Sequence, residues 1–296
     1  MKRRIFLKNI ALGSMLLNVR PGVFAQGSNN LPDLAVIQGE DPSALTKAAV
    51  TAIGGMNRFV SKGDKVMVKP NIGWDRTPEQ AACTNPDVVK TLVELTLEAG
   101  ADKVVVMDNT CNPPRRTYVR SGIADAAKSA GAEVPYPNDH KLQKMPINGA
   151  ALKEWDVYRD FLEVDKIINV PIAKHHSLSR LTLGMKNWLG AVGGNRNQLH
   201  QNLDQVMVDL AAYFKPALTV LDAYRILVRN GPQGGRLSDV EMQKTVVAGI
   251  DWVAVDAVGA SFFDLNPAEL RFFQIAHESG FGELNLENMK IEKRTI

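Results

Sequence analysis

The sequence predicts an α/β protein with an open, mostly parallel sheet and helices on both faces. Apolar runs of strand length alternate with helical patterns along most of the chain. After an initial lysine, the runs at 65–68 and 103–107 are continuously apolar, which is typical of parallel strands that are buried on both faces. No repeat or low-complexity linker divides the chain, so we expect residues 26–296 to form a single α/β domain.

The first half of this domain predicts three strands and two helices. The strands are expected at 34–37, 65–68 and 103–107. The first helix, from 42 to about 60, begins at an Asp-Pro pair, in which the aspartate caps the helix and the proline takes its first position. The second helix, from 86 to 100, carries apolar residues at i, i+4 and i+7 and ends at a glycine.

The second half is less regular. Between 112 and 160, five prolines interrupt a polar stretch that contains one short helix near 123–130, and we expect a lid or a small insertion there. Further strands are predicted at 166–170, 217–221 and 245–249, and further helices around 199–210, 252–263 and 267–279. Asp251 is expected to cap the helix that begins at 252.

The composition excludes several classes of function. The chain has 296 residues and a formal charge of +3, but residues 1–25 hold five cations and no acid. The remaining residues include 30 Lys and Arg and 32 Asp and Glu, which gives a formal charge of −2. This nearly neutral chain lacks the basic surplus that binds nucleic acid or anionic membranes. Two cysteines are too few for a disulfide scaffold or a four-thiolate cluster.

Residues 1–25 have the pattern of a twin-arginine export signal. Arg3-Arg4 precedes a short apolar run at 10–19, and Val23 and Ala25 suit cleavage after Ala25. The run is about half of the roughly 20 residues that a spanning helix needs, so we expect no permanent membrane anchor. An ordinary secretory signal is the alternative. We therefore expect a periplasmic protein that is exported folded, with a bound cofactor or a co-exported protein partner as options.

Polar side chains follow four of the predicted strands. They are Lys69 and Asn71, then Asp108, then Lys174 with His175 and His176, and finally Asp222. In open parallel sheets, ligands bind beyond the carboxyl ends of the strands. We therefore expect these residues to meet in one cleft, and solvated loop ends are the alternative.

The residue types indicate anion binding and proton transfer. Lys69, Lys174 and Lys186 are candidates to hold a carboxylate or phosphate, with surface lysines as the alternative. Asp108 and Asp222 are candidates for a general base, for a residue that orients a lysine, or for ligands of a divalent metal, unless each caps the helix that follows it.

The paired histidines and the two cysteines leave alternatives open. Adjacent residues of an extended chain point to opposite faces, so one histidine should face the cleft, and we assign proton transfer to His175. His176 and Cys111 join Asp108 and Asp222 as candidate metal ligands, although their spacing matches no standard zinc motif. Cys83 and Cys111 form a disulfide or remain free thiols.

Asp256 interrupts a predicted helix that is otherwise apolar. A buried carboxylate without a partner is costly. We therefore expect a salt bridge from Asp256 to one of the lysines, or exposure on the outer face of the helix.

Several short motifs resemble the domain-of-unknown-function 362 family. They are Val68-Lys69-Pro70-Asn71, Thr84-Asn85-Pro86, Val105-Val106-Met107-Asp108, Asn169-Val170-Pro171 with Lys174-His175, Leu183-Gly184-Met185-Lys186-Asn187, and Asp251 to Asp256-Ala257. The resemblance covers about 60–265. It implies a family site, of unsettled reaction, that contains Lys69, Asn71, Lys174, His175, Lys186 and Asn187. Some members carry ferredoxin-type cysteine motifs and are described as iron–sulfur proteins. This chain has no Cys-x-x-Cys, so we expect no iron–sulfur cluster.

The leading hypothesis is an exported, soluble α/β enzyme that acts on a small anionic substrate, with a divalent metal as a candidate cofactor. Substrate binding is assigned to Lys69, Asn71, Lys174, Lys186 and Asn187, and catalysis to His175, Asp108 and Asp222. One alternative is a non-catalytic periplasmic binding or accessory protein for a cofactor or partner. Another is a thiol redox protein that uses Cys83 and Cys111.

Overall fold

A nine-stranded mixed sheet forms the centre of the protein, which we describe from a computed structural model over residues 31–296. The strands are β1 (Leu34–Gln38), β2 (Lys65–Pro70), β3 (Lys103–Val106), β4 (Leu142–Pro146), β5 (Glu154–Tyr158), β6 (Lys166–Val170), β7 (Ile172–His176), β8 (Arg180–Thr182), β9 (Leu218–Leu227), β10 (Val240–Gly249) and β11 (Ile291–Thr295). The α-helices are α1 (Pro42–Ala52), α2 (Pro86–Glu98), α3 (Pro114–Arg120), α4 (Ile123–Ser129), α5 (Gly184–Asn187), α6 (Leu203–Phe214), α7 (Trp252–Ser261) and α8 (Arg271–Glu278). The predicted export signal at 1–25 lies outside the described residues.

The sheet runs in the order β11, β1, β10, β9, β6, β2, β3, and β7 pairs with β9 and β8 beside this path. Strands β9, β6, β2 and β3 are parallel, whereas β10 is antiparallel to both of its neighbours. The predicted fold class, a mostly parallel α/β sheet with helices, is therefore confirmed. In the described residues, no helix is long and apolar enough to span a bilayer.

The sheet is covered on both faces, as its continuously apolar strands predicted. Along β2, Val66 and Val68 pack into a core with residues of α1, α2 and α4. Met67, which points the other way, packs into a second core with residues of α6, α7 and α8. Each buried side chain of this size stabilises the fold by about 1.5–3 kcal/mol, so both helical layers hold the sheet in place.

Local capping residues fix where the helices begin. Asp41 accepts hydrogen bonds from the second and third residues of α1, and Asp251 does the same for α7. Asn85 caps α2, with proline at the first helical position. Helix α1 ends at Ala52 rather than near 60, because Gly54 and Gly55 have φ angles of 107° and 77°, which leave the right-handed helical region.

The segment from 112 to 160 contains more structure than the sequence predicted. Helix α4 matches the predicted short helix, but α3 precedes it. Strands β4 and β5 form a separate antiparallel hairpin. Within β5, Trp155 Nε1 donates to the carbonyl of Gly193 at 2.9 Å, so the hairpin is attached near the loop that follows α5.

A second hairpin was not predicted and carries part of the site. Directly after β6, Pro171 leads into β7, which pairs parallel with β9 and antiparallel with β8. Residues two apart on a strand point to the same face. This register places Lys174 and His176 on one side of β7 and His175 on the other.

Candidate functional site

A cleft of about 480 Å³ lies beyond the carboxyl ends of β2 and β3. It has contributions from the loops after these strands, from β7, from α5 and from the 3₁₀ turns at Arg196–Asn202. The polar and ionisable side chains that line it are Asn71, Asp108, Asn109, Cys111, Lys174, His176, Ser177, Thr182, Lys186, Asn187, Arg196, Asn197 and His200. This site, the cleft, therefore lies beyond the ends of parallel strands, where the strand-end rule predicts a ligand.

The floor of the cleft is a buried ion pair. Lys69 Nζ donates to Asp108 Oδ1 at 2.6 Å, and the two side chains are 0% and 2% exposed. Asp108 Oδ2 also accepts from the backbone N–H of Ile72 at 2.5 Å. Burial lowers the pKa of Lys69, and the attraction of Asp108 opposes that shift. The two charges neutralise each other, so neither is available to balance a ligand.

The backbone of Gly190 lies directly against this ion pair. A Cβ atom at that position would come within 1.7 Å of Asp108 Oδ1 and 2.8 Å of Lys69 Nζ. No other residue type fits without displacing the pair. The glycine therefore permits the close packing of the loop after α5 onto the floor.

Asn187 connects the floor to the rest of the site. Its Oδ1 accepts from Lys69 Nζ at 3.1 Å and from Asn71 Nδ2 at 3.2 Å. Its Nδ2 donates to Asn169 Oδ1 at 2.9 Å. These bonds use both the oxygen and the nitrogen of the buried Asn187 amide, and such a network holds β2, β6 and α5 in register.

Lys174 is buried in the wall of the cleft, the part that is lined by Cys111, Lys174, His176, Lys186 and Arg196. Its Nζ donates to Asn71 Oδ1 at 3.1 Å and to the carbonyl of Ala82 at 2.6 Å. Burial lowers its pKa to about 8. Both acceptors are uncharged, so Lys174 contributes positive charge to the cleft.

Lys186 differs from the other two lysines. Its side chain is 8% exposed, and its ammonium has no hydrogen-bonding or ionic partner among residues 31–296. Burial lowers its pKa to about 8, and the nearby charges of Lys174 and Arg196 act in the same direction. A negative charge would oppose both the desolvation of this side chain and its repulsion by the neighbouring cations, so this position favours a bound anion.

Arg196 provides a third cation. Its guanidinium donates to the carbonyls of Asn109, Leu189 and Thr110 at 3.0, 3.3 and 2.8 Å. These bonds fix the guanidinium group in place without neutralising its charge. Within the part of the chain that the structure describes, no carboxylate pairs with Lys174, Lys186 or Arg196, so the cleft is electropositive.

His176, rather than His175, lines the cleft. The Nδ1 atom of His176 accepts from the backbone N–H groups of Leu178 and Ser179 at 3.1 and 3.3 Å, so its proton is on Nε2. Burial and the charges of Lys186 and Lys174 lower its pKa to about 3. His176 is therefore a neutral donor. His175, on the opposite side of β7, accepts at Nδ1 from the backbone N–H of Gly231 at 3.1 Å.

His200 has the opposite tautomer. Its Nδ1 lies 3.1 Å from the carbonyl of Arg196, and because a carbonyl only accepts, Nδ1 carries the proton and Nε2 has a lone pair. Burial and the charge of Lys186 lower the pKa of His200. Sequence reasoning assigned no role in the cleft to His200 or Arg196, because it placed His200 in the predicted helix around 199–210 and Arg196 just before it, and neither follows a predicted strand.

The structure does not bring Asp222 to the cleft. Its Oδ2 accepts from the backbone N–H of Asn85 at 2.7 Å, and its Oδ1 accepts from that of Tyr224 at 3.0 Å. The side chain is 1% exposed, and burial raises its pKa to about 6. Asp222 lies within β9 and supports the start of α2 behind the cleft, so it does not cap a helix that follows it, which was the alternative expectation.

Both sequence expectations for Asp256 are wrong. The side chain is fully buried and contacts no lysine. Its carboxylate accepts from the backbone N–H groups of Gly184 and Met185 at 2.6 and 2.8 Å. These groups form the N-terminus of α5, where partial positive charge replaces the expected cation. Burial raises the pKa of Asp256 to about 7.

The two cysteines are not bonded to each other. Cys83 is buried, donates to the carbonyl of Trp74 at 3.2 Å, and has a pKa that burial raises to about 11. Cys111 is exposed on the wall of the cleft. Of the candidate metal ligands, Asp108, Cys111 and His176 reach the cleft, but in the described range no three His, Cys, Asp or Glu side chains gather around a common point.

The chain is similar to proteins of known sequence or structure. It is 24% identical, over 235 residues, to the thylakoid-associated protein sll1697 of Synechocystis sp., with 77% of this chain and 71% of that protein covered. The lactate racemase apoprotein of Thermoanaerobacterium thermosaccharolyticum superposes with a TM-score of 0.46 and 9% identity, over 80% of this chain and 57% of that one. The family described as "Domain of unknown function (DUF362)" matches residues 66–261. This match covers more than half of the sequence, and the chain belongs to that family.

Proposed function

We propose that this protein is an enzyme that binds a small carboxylate or phosphate in the cleft and transfers protons on it. The observation that carries the proposal is Lys186, a residue that lines the cleft and is 8% exposed, and whose ammonium has no acceptor in the described structure. Lys174 and Arg196 already have neutral acceptors. A bound anion would compensate all three charges and provide the missing acceptor.

The two histidines support catalysis in addition to binding. His176 offers an N–H and His200 offers a lone pair, and both line the same cleft. A donor and an acceptor on either side of a bound anion are suited to general acid–base chemistry. Because burial and the neighbouring cations lower both pKa values, both rings are neutral at pH 7.

Calorimetric titration with inorganic phosphate and with malonate tests the proposal. We expect Lys186→Met to bind both anions at least tenfold more weakly than the wild type, since a hydrogen bond to a charged group contributes about 1.5–3 kcal/mol. Lys47→Met removes an exposed cation from α1 and is the matched control. Equal affinity of Lys186→Met and Lys47→Met, or no binding of either anion by the wild type, would overturn the proposal.

We also propose that residues 1–25 direct the folded chain to the periplasm through the twin-arginine pathway. The supporting pattern is Arg3-Arg4 before a short apolar run. Replacement of both arginines by lysine, followed by cell fractionation, tests it. Retention of the double variant in the cytoplasm is the expected result, and unchanged export would favour an ordinary secretory signal.

A further inference from the structure

We propose that Lys186 acts as a nucleophile that forms an imine with its ligand. The substrate would then be a small carboxylate that also carries an aldehyde or ketone group. This inference rests on the proposed function, because it uses the same anion site.

The three buried lysines show why Lys186 is the candidate. Lys69 Nζ donates to Pro70, Asp108 and Asn187. Lys174 Nζ donates to Asn71 and Ala82. These bonds direct both nitrogens at protein acceptors, so neither can present a lone pair to a ligand. Lys186 lines the cleft and lacks such acceptors in the described residues, so its nitrogen is available for attack.

The surroundings of Lys186 favour the neutral amine that attack requires. Its pKa of about 8 leaves about one molecule in ten unprotonated at pH 7, far more than for an exposed lysine. Desolvation beside other cations is an established way to activate a lysine. Arg196 keeps its charge at pH 7, as does most of Lys174, and the two can hold the ligand's carboxylate while Lys186 reacts with its carbonyl.

Imine formation between Lys186 and the carbonyl group needs no further reactant. The lone pair of the neutral Lys186 amine attacks the carbonyl carbon, a C–N bond forms, and the electrons of one C–O bond move to oxygen. Nε2 of His200 accepts a proton from the nitrogen and passes it to that oxygen, while Nε2–H of His176 donates a hydrogen bond to the oxygen. The second amine hydrogen leaves with the oxygen as water, and the C=N bond remains.

Reductive trapping tests the inference. The full chain is incubated with pyruvate and sodium cyanoborohydride, and modified peptides are mapped by mass spectrometry. We expect one reduced pyruvate unit on Lys186 of the wild type and of Lys47→Met, and no label at position 186 with lactate, which has no ketone. Label spread evenly over exposed lysines, without enrichment at Lys186, would overturn the inference.

Lys186→Arg separates this inference from the proposed function. The guanidinium retains the positive charge but does not form an imine under these conditions. We expect the variant to bind malonate within about threefold of the wild type and to lose the specific label. If the wild type binds malonate but is not trapped by pyruvate, the imine is wrong and the anion site stands. If the wild type neither binds malonate nor is trapped, both proposals fail.

Discussion

The floor and the wall of the cleft use the same residue type in opposite ways. On the floor, Lys69 is saturated by a carboxylate, an amide oxygen and a carbonyl. On the wall, Lys186 is nearly as buried but has no acceptor among the described residues. Burial alone therefore does not identify a ligand-binding lysine. The distinguishing property is whether the protein itself supplies the partner, and this property divides the site into a structural part and a reactive part.

The largest expected effect comes from breaking the floor. Asp108→Ala leaves the Lys69 ammonium buried without its counter-charge, which costs about 3–5 kcal/mol when one partner of a buried pair is removed. Urea unfolding of the variant measures this loss. Lys144→Ala, in the exposed pair with Glu154, is the control and should leave the free energy of unfolding unchanged. A loss in Asp108→Ala no larger than in the control would mean that the floor is not structural.

The second prediction concerns Asp256, which supports the helix that carries Lys186. In Asp256→Asn, the amide N–H₂ would face one of the two backbone N–H groups at the start of α5. One buried donor would then be unsatisfied, so we expect a loss of about 1–3 kcal/mol at pH 5.

The pH dependence of this loss has a definite sign. The pKa of Asp256 is about 7 in the folded protein and 3.8 ordinarily, so the folded state retains the proton between these values. The contribution of Asp256 is complete below pH 4 and declines as the pH rises to about 7. The wild type should therefore lose stability relative to Asp256→Asn over that interval. A wild type that gains stability relative to the variant as the pH rises would show that the charged carboxylate is the stabilising form.

Part of this site follows from the sequence by local rules. Strands β2, β3 and β6 each contain a run of apolar residues, and capping residues mark the starts of α1, α2 and α7, so the main sheet and its strand ends are predictable. The strand-end rule then indicates Lys69, Asp108 and Lys174. These features depend on residues close together in the chain, which is why a single sequence reveals them.

Other parts of the site depend on distant partners. Asp222 accepts from a backbone group 137 residues away, and Asp256 from one 72 residues away. No local pattern marks a carboxylate that caps a remote segment. Strands β7 and β11 were missed because β7 ends in Lys-His-His and β11 is largely exposed. The choice between His175 and His176 depends on the register of β7, which only tertiary pairing sets.

The third prediction concerns the pH dependence of anion binding by the lysines of the wall. Malonate keeps both negative charges above pH 7, whereas Lys174 and Lys186 lose their protons near pH 8. The affinity for malonate should therefore fall as the pH rises from 7 to 9, by about tenfold for each lysine that becomes neutral. Calorimetry at fixed ionic strength measures this. In Lys186→Arg the fall should be shallower, because only Lys174 still titrates. Identical profiles would show that Lys186 does not contact the anion.

The smallest expected effect separates the two histidines. His176→Ala removes a neutral donor from the wall and should weaken phosphate binding about two- to tenfold, the range for one uncharged hydrogen bond of about 0.5–1.5 kcal/mol. His175→Ala alters the other side of β7, where the ring accepts from Gly231, and should bind phosphate as the wild type does. Melting temperatures of both variants control for damage to the hairpin. If instead His175→Ala weakens phosphate binding in a protein that remains folded, and His176→Ala does not, then the side of β7 that carries His175 faces the ligand. In that case the assignment of His176 to the wall is wrong.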